Sequence, residues 1–404
     1  MSFLVFAAID FPNGTATTAH NTLMVKGIRK NGKSSFLIIP FGSSNAKELN
    51  NFKTKGHFQD VPFFFMNKKT ELKRSNYYFQ MLHGMLASSI LLINRKWKKK
   101  RDIAIIYSPD FYTHLPIILT CFIIRIPLFT WQVEKMSINK KVPGIKGWLN
   151  HYSNLFAETH LHKFSKGIIV ISSLLKKDYC KYYKEEKILV SPILVNSDII
   201  FEIPINDINN FKNQYNNKRI IVYSGTFGEN DGFTFIIKAF KEFVKYFPDS
   251  ILITTGKPGK YYPIENMLNL VKENELTDHF HYLGLVSREK LLSIINAADL
   301  LLVCRSNSVF ANYGFPWKLG EYCMTANPII ATKVGDVEKY FIDGEEIFLA
   351  EPENYLSIYN KMCEVFYDYK NAKKVAERGY NKAKRIFDYK NRTKEVIDFI
   401  KLWV

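Results

Sequence analysis

The feature that most constrains this chain is an alternation. Short, wholly apolar runs rich in Ile, Val, Phe and Leu recur along it, separated by longer stretches with helical spacing. In the first half the runs lie at residues 3–9, 35–40, 103–108, 127–131, 167–172 and 188–192. In the second half they lie at 219–224, 250–255, 280–283, 300–304, 328–331 and 347–350. A strand apolar along its whole length is buried on both faces, as a central strand of a parallel sheet covered by helices is. Helical patterns at 19–30, 77–93 and 233–247 supply such covers. The fold class this dictates is α/β, with doubly wound parallel sheets. One core rarely serves 404 residues, so two domains are expected. The periodicity breaks between residues 191 and 211, where Pro192 and Pro204 fall among several Asn and Asp. That places the boundary near residue 200.

Charge narrows the partners. Lys plus Arg is 56 and Asp plus Glu 38, a net +18 that calls for nucleic acid, an anionic membrane face or phosphate-bearing substrates. No helix-turn-helix, zinc finger or aromatic RNA-binding pattern occurs, so nucleic acid is not the expected partner. Cys121, Cys180, Cys304, Cys323 and Cys363 are too scattered for a metal knuckle or a Cys-x-x-Cys pair. They read as free thiols in a reducing compartment. The longest apolar run, 115–129, is broken by Arg125 and Pro127 and falls short of the roughly 20 residues that span a bilayer. The first ten residues carry no basic segment and read as a strand rather than a signal peptide. A cytoplasmic chain follows.

In doubly wound sheets ligands bind outside the carboxyl ends of the strands, so the residues after each run are the candidates. After the first run come Asp10, Phe11, Pro12, Asn13, Gly14 and Thr15, which read either as a binding loop or as a plain turn capped by Thr17 or Thr18. No Gly-x-Gly-x-x-Gly is present. After 219–224 come Gly225, Thr226, Gly228, Asp231 and Gly232, a loop able to lie under a phosphate or sugar. After 300–304 come Arg305, Tyr313, Gly314, Phe315 and Pro316, a turn with Pro316 suited to the first helical position. The N–H groups of residues 315–318 would then face an anion. Lys318 and Glu321, three apart, share one helix face. They read equally as a cation for phosphate with a carboxylate for ribose, or as an ordinary surface ion pair.

The order of these pieces is similar to that in family-4 glycosyltransferases of the GT-B fold. The run Phe315-Pro-Trp-Lys-Leu-Gly-Glu-Tyr through Pro328-Ile-Ile-Ala-Thr332, followed by Val334-Gly-Asp, resembles the donor-binding half of that family. Tyr223-Ser-Gly-Thr226 with Asp231-Gly232, the strand around Leu283-Gly284, and Ala297-Ala-Asp299 fit the same half. Lys166-Gly-Ile-Ile-Val-Ile-Ser-Ser173 and Phe11-Pro-Asn-Gly14 resemble pieces of its acceptor half. The resemblance is strong over 219–350 and weak before 165. It implies two Rossmann-like domains with a deep interdomain cleft. Residues 1–200 would form the acceptor domain, completed by a final helix at 392–404, and 201–391 the donor domain.

It further implies retention at the anomeric carbon and a nucleotide-diphosphate sugar as co-substrate, with no cofactor. The donor residues would be Gly225, Thr226, Arg305, Tyr313, Gly314, Phe315, Pro316, Lys318 and Glu321, with Lys318 and Glu134 catalytic. Asp10, Asn13, Gly14, Thr15 and His114 would lie on the acceptor side. For His114 a buried structural role competes with a functional one. Two departures stand out. The first carboxylate of the family's Glu-x7-Glu pair is Tyr313 here, and its phosphate-binding Arg and Lys are Thr226 and Asp231. Lys318, aided by Arg305 or Lys257, would then meet the diphosphate, and no Asp-x-Asp occurs to hold a metal. Another GT-B nucleotide-sugar enzyme, such as an epimerase, or a silent carbohydrate-binding relative are the competing readings.

Finally, Arg95, Lys96, Trp97, Lys98, Lys99, Lys100 and Arg101 put six cations and a tryptophan in seven residues, beside the apolar stretch 81–93 and shortly after Lys68, Lys69, Lys73 and Arg74. A solvated charge run is one reading. The other is an interfacial patch for an anionic membrane. Many acceptors of the resembling family are polyprenyl-diphosphate-linked glycans of surface polysaccharides, which would bring the chain to the inner face of the plasma membrane.

Overall fold

The computed structural model describes the chain except for residues 13, 15, 41–53, 68–76, 110, 139–143, 199–202, 216–217, 228–230 and 258–261. It divides into two compact units, Met1–Val195 with Phe387–Val404, and Asn196–Ile386. The boundary thus falls at Val195 rather than 200, and the return to the first unit at Phe387 rather than 392.

In chain order the first unit runs β1 (Ser2–Phe6), α1 (Ala16–Lys30), β2 (Ser34–Ile39), β3 (Lys55–Phe58), β4 (Val61–Phe65), α2 (Tyr77–Trp97), β5 (Asp102–Tyr107), α3 (Phe111–Ile123), β6 (Leu128–Gln132), α4 (Ile145–His160), β7 (Gly167–Val170), α5 (Ser173–Tyr179) and β8 (Ile188–Val190). Its sheet has the order β3-β4-β2-β1-β5-β6-β7-β8. Every pairing is parallel except the β3–β4 hairpin. Order reverses around β1, which lies between β2 and β5. Leu4, Phe6, Ala104, Ile106 and Leu128 are buried in one core with Ile117, Ile118, Cys121 and Ala157 from α3 and α4. That hydrophobic burial is what the continuous apolar runs require.

The second unit follows with α6 (Ile205–Asn213), β9 (Arg219–Ser224), α7 (Phe233–Val244), β10 (Ser250–Thr255), α8 (Ile264–Glu273), β11 (Phe280–Tyr282), α9 (Arg288–Ala297), β12 (Leu300–Val303), α10 (Val309–Tyr313), α11 (Trp317–Cys323), β13 (Ile329–Thr332), α12 (Val337–Tyr340), β14 (Phe348–Ala350), α13 (Tyr355–Tyr367) and α14 (Tyr369–Phe387). Its parallel sheet has the order β11-β10-β9-β12-β13-β14, with the reversal at β9 and β12. Asp299 fixes the start of both strands: its carboxylate accepts the Ile220 amide at 2.8 Å, and its own amide donates to the Ile220 carbonyl at 2.8 Å.

The last helix, α15 (Tyr389–Lys401), belongs to the first unit. Asn31 at the end of α1 donates to the Lys390 carbonyl at 2.9 Å and to the Thr393 hydroxyl at 3.2 Å. Phe399 meets Phe129 of β6 with ring centroids 6.2 Å apart. Unit by unit, these are the two parallel-sheet α/β domains that the sequence pattern calls for.

Candidate functional site

In the second unit the reversal of strand order puts a crevice outside the carboxyl ends of β9 and β12, where neighbouring loops diverge. The chain beyond β9 is Gly225-Thr226, and beyond β12 it is Cys304-Arg305. Lys318, on α11, reaches this point. Its ammonium lies 4.7 Å from the Tyr223 ring centroid and 3.9 Å from the Asp231 carboxylate. A Cβ at Gly225 would overlap that ammonium, so any larger residue there would push the lysine aside. The Thr226 hydroxyl donates to Asp231, and the Thr226 carbonyl accepts from the Tyr223 phenol at 2.7 Å. The loop is therefore built around Lys318 and Asp231.

Lys318 is 30% exposed, enough to be reached by a ligand. Burial holds its ammonium below the ordinary lysine value; Asp231 offsets part of this, and the nearby Arg305 guanidinium adds to it. Arg305 also donates to the Ala311 carbonyl at 3.4 Å, and its own carbonyl accepts from Thr332 at 2.8 Å. Among the described residues, Lys318 thus answers to one carboxylate, Asp231, and to a second cation, Arg305.

Glu321 lies one turn on from Lys318, yet the two are not ion-pair partners. Glu321 takes a bidentate pair from Arg288 of α9, at 3.0 and 2.5 Å. Nothing in the local sequence marks Arg288, which stands 33 residues upstream. Tyr322 anchors α11 to β9: its phenol accepts the Ser224 amide at 3.1 Å and lies 2.9 Å from the Ser224 hydroxyl. Phe315 is buried edge-on to Tyr340, 5.5 Å between centroids. Tyr313 closes α10, and Gly314 follows it as the C-cap. Pro316 is the N-cap of α11 rather than its first residue, because its ψ of 107° is extended. With only seven residues, α11 also has a weaker dipole than the sequence pattern suggests.

On the acceptor side, the loop after β1 folds tightly back on itself. The Thr18 hydroxyl donates to the Asp10 carbonyl at 2.6 Å, and a Cβ on Gly14 would overlap both. Gly14 is thus required by the turn itself. The helix starts at Ala16, before Thr17 and Thr18, so neither is its N-cap; Thr18 instead holds the loop from inside the first turn. Asn13 and Thr15 lie outside the described residues, as do Lys68, Lys69, Lys73 and Arg74. His114 is buried on α3. Glu134 follows β6, and its carbonyl accepts from Gln132 at 2.6 Å.

An aromatic group at the ends of β5 and β6 was not visible in the sequence. His20 of α1 stands 4.6 Å from Trp131 and 5.1 Å from Tyr107. Burial keeps the His20 imidazole neutral, lowering its pKa to about 3. Burial, with the Glu134 carboxylate adding to it, pushes the Tyr107 phenol far up.

One residue of the basic segment is redirected. Arg95 makes a bidentate pair with the buried Asp102, at 2.7 and 2.6 Å, and lies over the Phe36 ring at 5.4 Å. It fastens α2 to the head of β5 and is not surface charge. Lys96 through Arg101 are exposed, and Trp97 is 81% exposed. No described helix is long and apolar enough to cross a membrane.

Residues 205–382, most of the second unit, match the family described as Glycosyl transferases group 1. The second unit is a glycosyltransferase domain. No curated protein matches the chain in sequence. Solved structures match its fold over nearly the full length. One is Anabaena Alr3699/HepE in complex with UDP-glucose, with a TM-score of 0.73 at 14% identity, covering 100% of both chains. Sucrose-phosphate synthase from Thermosynechococcus elongatus gives 0.73 at 13%, covering 99% of this chain and 98% of that one. A glycosyltransferase from Rickettsia africae gives 0.72 at 16%, again covering 99% and 98%. The fold is GT-B, and the chain is a glycosyltransferase enzyme.

Proposed function

We propose that the crevice at β9 and β12 binds a nucleotide-diphosphate sugar, and that the enzyme moves its sugar, with retention, to a glycan acceptor. The observation that carries this reading is the charge arrangement around Lys318. The part-exposed Lys318 stands at the strand-order reversal, with the Arg305 charge acting on it and Asp231 as its ion-pair partner. A diphosphate would bring negative charge to both cations. Lys318 and Arg305 would stabilise the charge that grows on the diphosphate as the glycosidic bond breaks. Glu321, held by Arg288, would accept from ribose hydroxyls. Tyr313, Gly314, Phe315 and Pro316 would shape the wall of the site, and Gly225 and Thr226 its floor. The HepE complex contains UDP-glucose, which favours a UDP-sugar.

The chemistry needs no metal in this scheme, because side-chain cations carry the phosphate charge. Glu134, which follows β6, is the candidate catalytic carboxylate on the acceptor side. The acceptor we favour is a lipid-linked glycan of bacterial surface polysaccharide synthesis, reached at the inner face of the plasma membrane. The exposed cations 96–101 support that location.

The test is release of UDP from a panel of UDP-sugars with a polyprenyl-diphosphate-linked acceptor, with and without EDTA. Release that survives EDTA and falls in Lys318→Ala and Glu321→Ala is the expected result. Failure of every nucleotide sugar to bind by calorimetry, or full activity in both variants, would overturn the reading.

A further inference from the structure

The helices on one side of the first unit's sheet carry apolar side chains on both faces. α2, α3 and α4 connect successive parallel strands in the same direction across the sheet, so right-handed crossovers put them in one layer. α3 packs against both α2 and α4. On α2, Met81, Met85, Ser88 and Leu92 are buried. Phe79, Leu82, Leu86 and Ile90 are exposed, at spacings of three, four and four, and so form a single stripe on the outward face. Trp97, seven residues further, ends the same stripe.

The neighbouring helices repeat the pattern. Phe122 and Ile123 are exposed at the end of α3, and Phe122 meets Phe164 with centroids 5.4 Å apart. Trp148, Tyr152 and Phe156 are exposed on α4 at spacings of four, with Trp148 and Tyr152 in ring contact at 4.5 Å. A soluble helix with an inward apolar face normally has a polar outward face. Here three adjacent helices lack one, and a patch built from three such stripes marks an interaction surface.

Charge selects the occupant. α2 and α3 contain no Asp or Glu, and α4 contains only Glu158. Glu158 is buried, taking the Ser137 amide at 2.9 Å and its hydroxyl at 2.5 Å. The three helices run the same way, so their C-terminal ends line up at one edge of the layer. That edge carries the exposed Lys96 in the last turn of α2, Lys98, Lys99, Lys100 and Arg101 after it, and the exposed Arg125 after α3. A second copy docked through the same face would offer these cations no counter-charge, since α2, α3 and α4 carry no exposed acid among the described residues. A sheet of lipid phosphates beside acyl chains offers both halves of the match.

We propose that the outward face of α2, α3 and α4 is the surface by which this enzyme docks on an anionic bilayer. The stripe from Phe79 to Ile90 and the α4 aromatics enter the interface, and the cationic edge rests on headgroup phosphates. This deepens the lipid-linked-acceptor reading by naming the helices that meet the membrane, beyond the basic segment alone.

Flotation with vesicles of phosphatidylethanolamine and phosphatidylglycerol, against phosphatidylcholine alone, tests it. The wild-type chain is expected to float with the anionic vesicles only, and Trp97 and Trp148 to shift their emission to the blue. Leu86→Ser with Ile90→Ser is expected to lower partitioning by about tenfold or more. Neutralising Lys98, Lys99 and Lys100 to Gln is expected to lower it by about fivefold per cation, in a salt-dependent manner. Thermal unfolding and UDP affinity, both read in solution, should be unchanged in these variants, which keeps the donor reading separate. Wild-type protein that fails to float, or serine variants that float as well as wild type, would sink the proposal. So would a wild-type dimer, seen by light scattering, that the serine pair converts to monomer, because the face would then belong to a second copy.

Discussion

At the scale of single residues, Lys318 and Glu321 are separable despite their spacing, because each answers to a different partner. On the proposed mechanism, Lys318→Ala takes a cation away from the departing diphosphate, and should lower turnover by about 10²- to 10³-fold with little effect on folding, since the side chain is part-exposed. Arg288→Ala instead frees Glu321 to take other orientations. The expected result is a rise of about tenfold in KM for the donor with kcat little changed, as measured by steady-state UDP release. A purely structural Arg288 would lower the melting temperature and leave KM alone. The buried histidines make a further prediction. His20 and His162 are kept neutral by burial, each with its pKa lowered to about 3. In the unfolded chain each titrates near the ordinary value of about 6.5, so below that pH the unfolded state binds protons that the folded state refuses. Stability therefore falls as pH drops from about 6.5 toward 3, by up to about 1.4 kcal/mol per pH unit for each histidine, and gains nothing above that window. Urea unfolding of His20→Gln across this range should show a slope shallower by about that amount.

Among the elements, the continuous apolar strands were legible because burial on both faces leaves a direct trace in composition. β9 and β10 occupy the expected residues, and the other expected runs are offset by only a few residues. The β3–β4 hairpin was missed although β4 is apolar, because β3 leaves no such trace and Pro62 breaks the strand pattern of β4. β3 is short and polar, and β4 contains Pro62, whose missing N–H is tolerated near the sheet edge. Its two-residue turn is Gln59-Asp60, with φ of 46° and 66°, in place of the Asn-Gly or Asp-Gly that would announce it. That mismatch predicts a gain: Gln59→Asn with Asp60→Gly should raise stability by about 0.5–1 kcal/mol, or a few degrees in the melting temperature of the first unit. The crevice was half legible for a similar reason. Gly225, Arg305, Lys318 and Glu321 follow strands or open a helix, where sequence order predicts function. Arg288 enters from a helix whose own pattern shows only packing, and only the sheet order brings it in; in the first unit His20 reaches Tyr107 and Trp131 in the same way.

For the whole molecule, the two units are not independent stretches of sequence, since the first is finished by the last eighteen residues, Phe387–Val404. α15 buries Tyr389, Val396, Ile397, Phe399 and Ile400 in that unit. At about 1.5–3 kcal/mol for each fully buried large apolar side chain, this burial rivals the whole stability of a typical domain, about 5–15 kcal/mol. The Val195–Phe387 and Tyr389–Val195 backbone hydrogen bonds, both at 2.9 Å, would go with it. Deleting 387–404 should therefore unfold the first unit, while the second, Asn196–Ile386, keeps its own core and the crevice around Lys318. Calorimetry of the truncated chain should show one cooperative transition where the full chain shows the contributions of both units, and UDP should still raise the temperature of the one that remains. Glycosyl transfer should be lost, because the proposed catalytic carboxylate Glu134 lies in the unit that α15 completes. A truncated chain that retains transfer would show that α15 is dispensable for the first unit. One that no longer binds UDP would show that the donor crevice depends on residues beyond its own unit.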